Sequence, residues 1–555
     1  MNPPLPTHER IIQTGEADGK STPRFFRPAI VGILILAAAL KVGLLLADAI
    51  PFNADEAVVG LMARHILQGM WPTFFYGQAY MGSLDASLVA GAFTLFGPRV
   101  EAIRLVQLLL YLGTVFTTII LARRILGPRP ALLAGLFMAI PTVNLTLYTT
   151  VSLGGYGEAL LIGNLLLIAA AAVADRPDRI WIYPVWGFLS GLGLWAFGLT
   201  LIYVLPTALL IAWSSFSDGE RTRRNDLLTK VALIVMGVIA GASPWIAYAV
   251  RNGIGAMLAE LGGSAIAGAS PIGRLASVGS HAFNLLVFGT TVIVGLRPPW
   301  EVRWLAPGLI PIVAAFWLGT VVYGLRFLRT ASSSRAGSLL LAGVAVSLFG
   351  GFILTPFGAD PSGRYFTPLA VPMAVFGSGM LEEMNRRFGP WPPAALLACI
   401  LAFNLWGTIS SAGRNPPGLS TQFNPSTRID HAYDQALIGF LSQHGEMRGY
   451  TNYWVGYPLA FLSSEAAIFV PRLPYHPDLR YTPRDDRYAP YDSSVADSDR
   501  AAYITTGPAA LDSALEAYFF RMDVGYQEVD VGDYHVYYAL SRRVPPPDFT
   551  DMREE

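Results

Sequence analysis

Charge is scarce in this chain. Only 14% of its 555 residues are Asp, Glu, Lys or Arg, against 53% hydrophobic, whereas roughly a quarter is charged in an average soluble protein. A water-facing surface over most of the length is thereby excluded. Cysteine is scarcer still. Cys399 stands alone in an apolar run, which rules out an intrachain disulfide and a cysteine-based zinc site. The seven histidines fall at no metal-ligand spacing; no residue set demands a metal, although a divalent ion is compatible with the reading below. There is no basic run with interleaved aromatics to suggest nucleic acid. Neither an internal repeat nor a phosphate-binding glycine loop is visible.

What charge there is falls unevenly. Residues 410–555 hold 12 basic and 20 acidic side chains, leaving 27 and 19 for everything before them. The tail therefore has the charge density of a soluble fold, while the first 409 residues do not. The expectation is a polytopic α-helical membrane protein: a polar cytoplasmic leader over 1–27, a membrane region over 28–409 and a soluble domain over 410–555.

A hydrocarbon core about 30 Å thick takes roughly 20 apolar residues at 1.5 Å each. About eleven such runs emerge, near 28–49, 101–122, 131–149, 155–174, 180–197, 198–214, 231–250, 307–325, 337–355, 366–381 and 392–409. With the N-terminus in the cytoplasm, eighteen Lys and Arg fall in the connections on that side and seven on the other. Basic residues are retained on the cytoplasmic side, so the reading is N-terminus inside and, with an odd number of spans, the tail outside the cytoplasm of a multi-pass cell membrane protein. Two outer connections are long, 50–100 and 251–306. The second contains an apolar stretch, 282–296, read as interfacial or re-entrant. Lys41, inside the first span, is expected to snorkel.

In the first outer loop Asn53 suits a helix N-cap, with Asp55 and Glu56 in the first turn and Gly69 at the close; Ser83 then caps a second helix ending at Gly97. Two helices on the membrane surface are expected, with Trp71, Phe74, Phe75, Tyr76 and Tyr80 as an interfacial aromatic cluster between them. Acids in a first turn are favoured by the helix dipole at about 0.3–1 kcal/mol each, which accounts for the pair without any chemistry. Its place just after the first span adds something. A carboxylate at the membrane midplane costs roughly 2.5–3.5 kcal/mol, so an ionised one nearby needs water or partners, and Asp55 is a candidate general base. Arg64 and His65 read as surface or ion-pairing groups, and Asp85 as a first-turn acid.

The Asp-Glu pair after the first span, the FFYGQAYMGSL stretch and Arg104 opening the second span resemble the GT-C superfamily of integral-membrane glycosyltransferases, in particular the protein O-mannosyltransferase and aminoarabinose-transferase-like group (glycosyltransferase family 39). The likeness covers roughly residues 25–410. It implies a sugar transferase, hexosyl or pentosyl, that takes its donor from a polyprenyl phosphate on the outer face and passes the sugar, with inversion, to a hydroxyl of a glycan, lipid or protein. Asp55 would take the acceptor proton. Glu56 would support it or bind sugar, and Glu158, at the head of the fourth span beside Tyr156, would be a second acid in the same outer pocket. Tyr76 and Gln78 of the aromatic stretch would bind substrate. Arg364 and Tyr365 in TPFGADPSGRYFTPL match the place of a basic group for the lipid phosphate. Arg251, Arg274, Arg297 and Arg303 are further candidates for that role. A transporter or flippase of lipid-linked saccharides, or a non-catalytic polysaccharide-assembly subunit, are the competing readings.

From about Asp430 the periodicity changes. A helix over 430–443, a strand in RGYTNYW, a short helix near 456–463, a strand at 466–470, a Pro/Asp/Arg-rich stretch over 471–499, a strand in AAYITTG, a helix near 509–519 and paired strands around 525–531 and 534–540 read as a small α/β domain. Tyr450, Tyr453, Trp454 and Tyr457 form an aromatic patch suited either to stacking on sugar or to a half-buried face.

Overall fold

The computed structural model describes residues 25–217, 224–266, 274–330, 335–360, 362–414, 418–507 and 509–549. Most of the leader, parts of the charged connections near 221–223 and 331–334, and the Arg274 side chain lie outside the described residues.

The apolar runs are helical. In chain order these are α1 (Phe26–Leu46), α2 (Ala54–Leu67), α3 (Leu84–Phe96), α4 (Val100–Leu126), α5 (Pro128–Ala139), α6 (Val143–Tyr148), α7 (Tyr156–Asp175), α8 (Ile182–Ala196), α9 (Leu201–Ser217), α10 (Arg224–Gly241), α11 (Ser243–Asn252), α12 (Ile254–Ile266), α13 (Arg274–Phe283), α14 (Thr290–Ile293), α15 (Ile310–Thr330), α16 (Arg335–Leu354), α17 (Ala370–Phe388) and α18 (Trp391–Ala412). Among the described residues, six helices are long and apolar enough to cross a membrane: α1, α4, α7, α15 with the turn before it, α16 and α18. The pair α10 and α11 makes a seventh if its 69° bend lies within one span. The expected eleven are therefore not carried by length and composition alone. Helices α8 and α9 are short, and α17 carries Glu382, Glu383, Arg386 and Arg387 in its last turns. Leu209, Trp213, Leu318 and Val346 stand exposed on the bundle's outside, an apolar surface that suits lipid rather than water.

Two runs expected to be continuous are interrupted, each for a backbone reason. Pro141 ends the helix in 131–149, because proline has no N–H to give and its ring displaces the turn before it. The carbonyl of Ile140 freed at this break accepts from Asn404 Nδ2 at 3.0 Å, so the irregular backbone is satisfied inside protein. In 231–250 the new helix starts at Ser243 with Pro244 in its first turn, and the axis turns there. The stretch 282–296 continues α13 through a π-helical segment, Asn284–Gly289, into α14.

Two polar side chains inside the bundle show how a buried group is satisfied there. Asn164 Nδ2 of α7 donates to Thr114 O, Thr117 Oγ1 and Thr118 Oγ1 of α4 at 3.0–3.2 Å. Lys41 does not snorkel. It is 2% exposed and donates to Thr149 Oγ1 at 2.8 Å and Thr150 Oγ1 at 2.7 Å, with Tyr111 beneath its ammonium. The broken end of α6 gives the cation hydroxyls and a ring face, which spares it the reach to the interface. Helices α8 and α10 meet backbone to backbone: a Cβ at Gly187, Gly191, Gly237 or Gly241 would overlap main-chain atoms of the facing helix. This is the small-residue packing that lets bilayer helices approach closely.

The first outer loop differs from its expected form. Asn53 Oδ1 does cap α2, accepting from Glu56 N at 3.1 Å; α3 follows Ser83, but the Ser83 hydroxyl does not cap it and donates instead to Pro72 O at 2.5 Å. Yet α2 is clamped between α3, α4 and a later helix instead of lying on a surface, with residues such as Val58, Met62 and Ala63 fully buried. The aromatic segment between the helices is a small hairpin, β1 (Phe74–Phe75) against β2 (Gln78–Gly82), turning at Gly77 with φ +70°. Trp71 is exposed while Phe75 is buried.

The C-terminal region comprises α19 (Asp434–His444), β3 (Arg448–Thr451), α20 (Tyr453–Leu462), β4 (Ile468–Pro471), α21 (Pro490–Ala496), β5 (Ala502–Thr505), α22 (Ala509–Arg521), β6 (Gln527–Val531) and β7 (Tyr534–Tyr538). Its five strands lie in the order β4-β3-β5-β7-β6, the first three parallel and β7 antiparallel to both neighbours. Strands β4 and β5 are buried at every position, as strands covered on both faces should be. Helix α20 joins this sheet to the bundle. Its Phe461 packs on Phe52 and Phe93, and α2 has glycine at position 60, where a Cβ would fall 2.5 Å from the Phe461 ring.

Candidate active site

Successive helix residues point about 100° apart, so the two acids of α2 cannot share one destination. Glu56 turns into the bundle, fully buried, and accepts from Arg104 Nε at 3.0 Å and Nη2 at 2.9 Å. Arg104 Nη2 also donates to Pro51 O at 3.3 Å. The pair is a two-pronged clamp that fixes the start of α2 against α4. Asp55 points the other way, toward the C-terminal region. Its Oδ1 accepts from the Tyr453 hydroxyl at 2.6 Å and lies 3.4 Å from Arg487 Nη1.

Glu158 also stays clear of Asp55. It is 1% exposed, neither of its oxygens is hydrogen-bonded, and its neighbour is Asp85. Asp85 is not a plain first-turn acid. It accepts from Gln107 Nε2 at 3.0 Å, Ser152 Oγ at 2.5 Å and Gly154 N at 3.2 Å, tying α3 to α4 and to the turn before α7. Three carboxylates converging on one pocket is thus not what forms. One reaches the cavity, one is clamped by arginine, and one is sealed beside a fourth acid.

Asp55 lines a chamber of about 290 Å³ between the bundle and the C-terminal region, together with Tyr156, Gln422, Trp454, Tyr475 and Asp485. Beside it lies a larger cleft of about 860 Å³, walled by Phe74, Phe75, Tyr76, Phe357 and Tyr365. Gln78, Tyr80, Asp360, Arg364, Arg484 and Arg487 line both. The junction therefore holds three guanidinium groups. Of the residues expected to bind substrate, Gln78 and Arg364 stand at this junction, Tyr76 and Tyr365 line the larger cleft only, and Glu56 and Glu158 line neither. Arg251, Arg297 and Arg303 line neither cavity as well. Arg297 is turned onto the carbonyls of Phe288 and Pro298, and Arg303 onto Glu301.

The junction's electrostatics follow from burial and proximity. Arg364 Nε donates to Asp360 Oδ2 at 2.6 Å. Burial works against its charge, but Asp360 and the tyrosines around it outweigh this and hold the guanidinium well above its ordinary range. Arg487 is kept charged in the same way, burial being overcome by Tyr453, Asp55 and Asp485. Burial pushes the Asp485 carboxyl up to about 6 in spite of Arg487 and Arg484. Among the described residues, no group of three or more His, Cys, Asp or Glu side chains is placed to hold a metal ion.

The aromatic patch divides. Tyr453 and Trp454 face the chamber, whereas Tyr457 takes the Arg487 backbone N–H on its hydroxyl at 2.7 Å. Sequence reasoning passed over Arg484 and Arg487, which lie in the stretch after β4. The available signal was the RDDR string at 484–487, the densest charge in a segment that forms almost no regular structure.

No protein-family profile matches the chain, and no curated protein sequence does. Solved structures do. ArnT from Cupriavidus metallidurans bound to undecaprenyl phosphate superposes over 94% of this chain and 99% of its own at 13% identity, with a TM-score of 0.55. The same protein in the apo state covers 91% and 98% at 12% identity, TM-score 0.56. The oligosaccharyltransferase of Archaeoglobus fulgidus, in complex with zinc and sulfate, covers 91% and 73% at 14% identity, TM-score 0.49. The likeness is one of fold: the chain shares the fold of ArnT over nearly its whole length.

Proposed function

We propose that this protein transfers a sugar from a polyprenyl-phosphate carrier to an acceptor hydroxyl on the outer face of the cell membrane, with inversion at the anomeric carbon. The observation that carries the reading is the placing of Asp55, in a chamber it shares with Asp360 and Asp485 and that adjoins a cationic junction and, beyond it, an aromatic cleft. The fold agrees, since ArnT of the same architecture is a structure bound to undecaprenyl phosphate.

In the proposed step the acceptor oxygen attacks the anomeric carbon and its proton passes to the Asp55 carboxylate. The bond from that carbon to the phosphate oxygen breaks, and its electron pair leaves with the phosphate. Arg364 and its neighbours at the junction offset the charge that develops. Glu56 acts through Arg104 to hold the turn that carries Asp55. Tyr76, Gln78 and Tyr365 line the path of the donor. A positioned base contributes about 10²–10⁴-fold, and orientation in the chamber supplies most of the rest. The N-terminus is cytoplasmic and the sheet-bearing region, 410–555, extracytoplasmic, where the carrier's sugar is exposed and nucleotide sugars are absent.

The test is Asp55→Asn in membranes supplied with a labelled polyprenyl-phosphate sugar. Transfer falls by at least about a hundredfold while the protein is still inserted and folded. Unchanged transfer removes Asp55 from the base role.

A further inference from the structure

Arg487 is held in a way its surroundings alone do not account for. Its side chain is 7% exposed. The guanidinium stands over the Tyr453 ring at 4.3 Å, with Phe75 at 5.9 Å. Nε makes no hydrogen bond, and Nη1 is in ion-pair range of Asp55 but not hydrogen-bonded to it. Buried donors of a charged group left unused are costly. The arrangement is nevertheless built, not incidental. The Arg487 backbone is pinned to Tyr457, and its stem crosses the hairpin turn so closely that a Cβ at Gly77 would fall 2.6 Å from Arg487 Cγ. Arg364, the other guanidinium at this wall whose bonding is described, has already committed its Nε to Asp360.

We infer that Arg487, carried by the C-terminal region, receives the phosphate ester of the lipid carrier, and that in doing so it releases its ion pair with Asp55. This rests on the transferase reading above and adds an order to it. A guanidinium turned off Asp55 can present two adjacent donors to two phosphate oxygens, and Arg487 lines both the chamber of the base and the cleft of the carrier. Without donor, the cation sits against the carboxylate. With donor, the phosphate takes the cation and Asp55 is free to accept the acceptor's proton. The electron pair of the breaking bond then leaves on a phosphate oxygen that Arg487 already holds.

The experiment is a titration of the full-length protein in detergent with a polyprenyl monophosphate, repeated with inorganic phosphate. Arg487→Gln weakens lipid binding by about tenfold or more. Arg487→Lys, which keeps the charge and is the variant to rely on should the glutamine form not fold, weakens it less but measurably. Asp55→Asn tightens binding, and in a double-mutant cycle that gain disappears in the Arg487→Gln background. Inorganic phosphate competing as well as the lipid would assign the site to free phosphate and overturn the carrier assignment. Equal affinity of both Arg487 variants and the unaltered chain overturns the inference while leaving the transferase reading standing, as does an Asp55→Asn gain that persists without Arg487. Absence of lipid binding by the unaltered chain overturns both.

Discussion

Glu465 Oε1 lies 2.9 Å from His65 Nε2, joining the loop after α20 to a helix four hundred positions earlier. Around this contact the His65 Nδ1 and the Tyr76 hydroxyl are 2.9 Å apart, Tyr488 stacks on the imidazole at 4.7 Å, and the Tyr491 hydroxyl donates to Glu465 at 2.8 Å. Arg64 Nη1 adds an ion pair at 3.7 Å. The cluster fastens the segment bearing Arg484 and Arg487 to α2 and to the hairpin.

A pH dependence follows. Burial tends to raise the Glu465 carboxyl, but bonds from His65 and Tyr491 and the nearby Arg64 outweigh it and hold it below its ordinary value. A depressed folded value means stabilisation that is present above the unfolded value and lost as pH falls through the folded one. Glu465→Gln therefore lowers the melting temperature at neutral pH, by the equivalent of about 1.5–3 kcal/mol for a hydrogen bond to a charged group. The gap to the unaltered protein begins to narrow as pH falls below about 4.5, the reference value for this residue, and closes only below its depressed folded value. Melting curves of the two proteins from neutral pH down to the lowest pH at which both still fold measure it, and a gap that stays constant throughout refutes it.

The Glu56 and Arg104 clamp makes a second prediction. Removing one partner of a buried ion pair leaves an uncompensated charge and costs about 3–5 kcal/mol. Arg104→Leu is expected to abolish stable insertion or to lower the melting temperature sharply, and Glu56→Gln to do so less. The double variant Glu56→Leu with Arg104→Leu recovers part of the loss. A double variant no better than the worse single one contradicts the account.

Helices α8 and α10 offer a third. At Gly187 and Gly237 any side chain meets main-chain atoms, which cannot rotate away. Gly237→Val is expected to cost upward of about 1–3 kcal/mol as overpacking. The same change at Gly255, where nothing lies within 4 Å of an added Cβ, leaves yield and melting temperature nearly unaltered. Parallel purification of the two variants decides it.

Tyr453 provides the fourth. Its hydroxyl contributes a short hydrogen bond to Asp55, so Tyr453→Phe removes a group that orients the carboxylate and leaves the fold in place. Transfer is expected to fall by about tenfold, with binding of polyprenyl phosphate by Arg487 retained. Full activity in this variant shows that Asp55 is oriented by the remaining contacts alone.

Much of the architecture is written in periodicity and composition. The apolar runs are helices, and in the tail each expected element appears within a few residues of its place, down to the strands Ile468–Pro471 and Ala502–Thr505. What local pattern cannot carry is where a side chain goes once the chain has folded. Lys41 reads as a residue near lipid, yet it turns inward because Thr149 and Thr150, just past the end of α6, offer it hydroxyls. Asp55 and Glu56 read as one motif and part company because adjacent helix positions diverge. The hairpin at 74–82 reads as loop, since strands of two and five residues are too short to show alternation. Arg487 is the hardest of these. No period marks it, and its partner lies in the first tenth of the sequence.

That last pairing bears on biosynthesis. A ribosome working at about 5–20 residues per second reaches Arg487 on the order of half a minute or more after Asp55 has emerged. During that interval the helices are delivered to the bilayer one after another while the guanidinium that faces Asp55 does not yet exist. A nascent chain therefore waits for its own last quarter before Asp55 and Arg487 can meet.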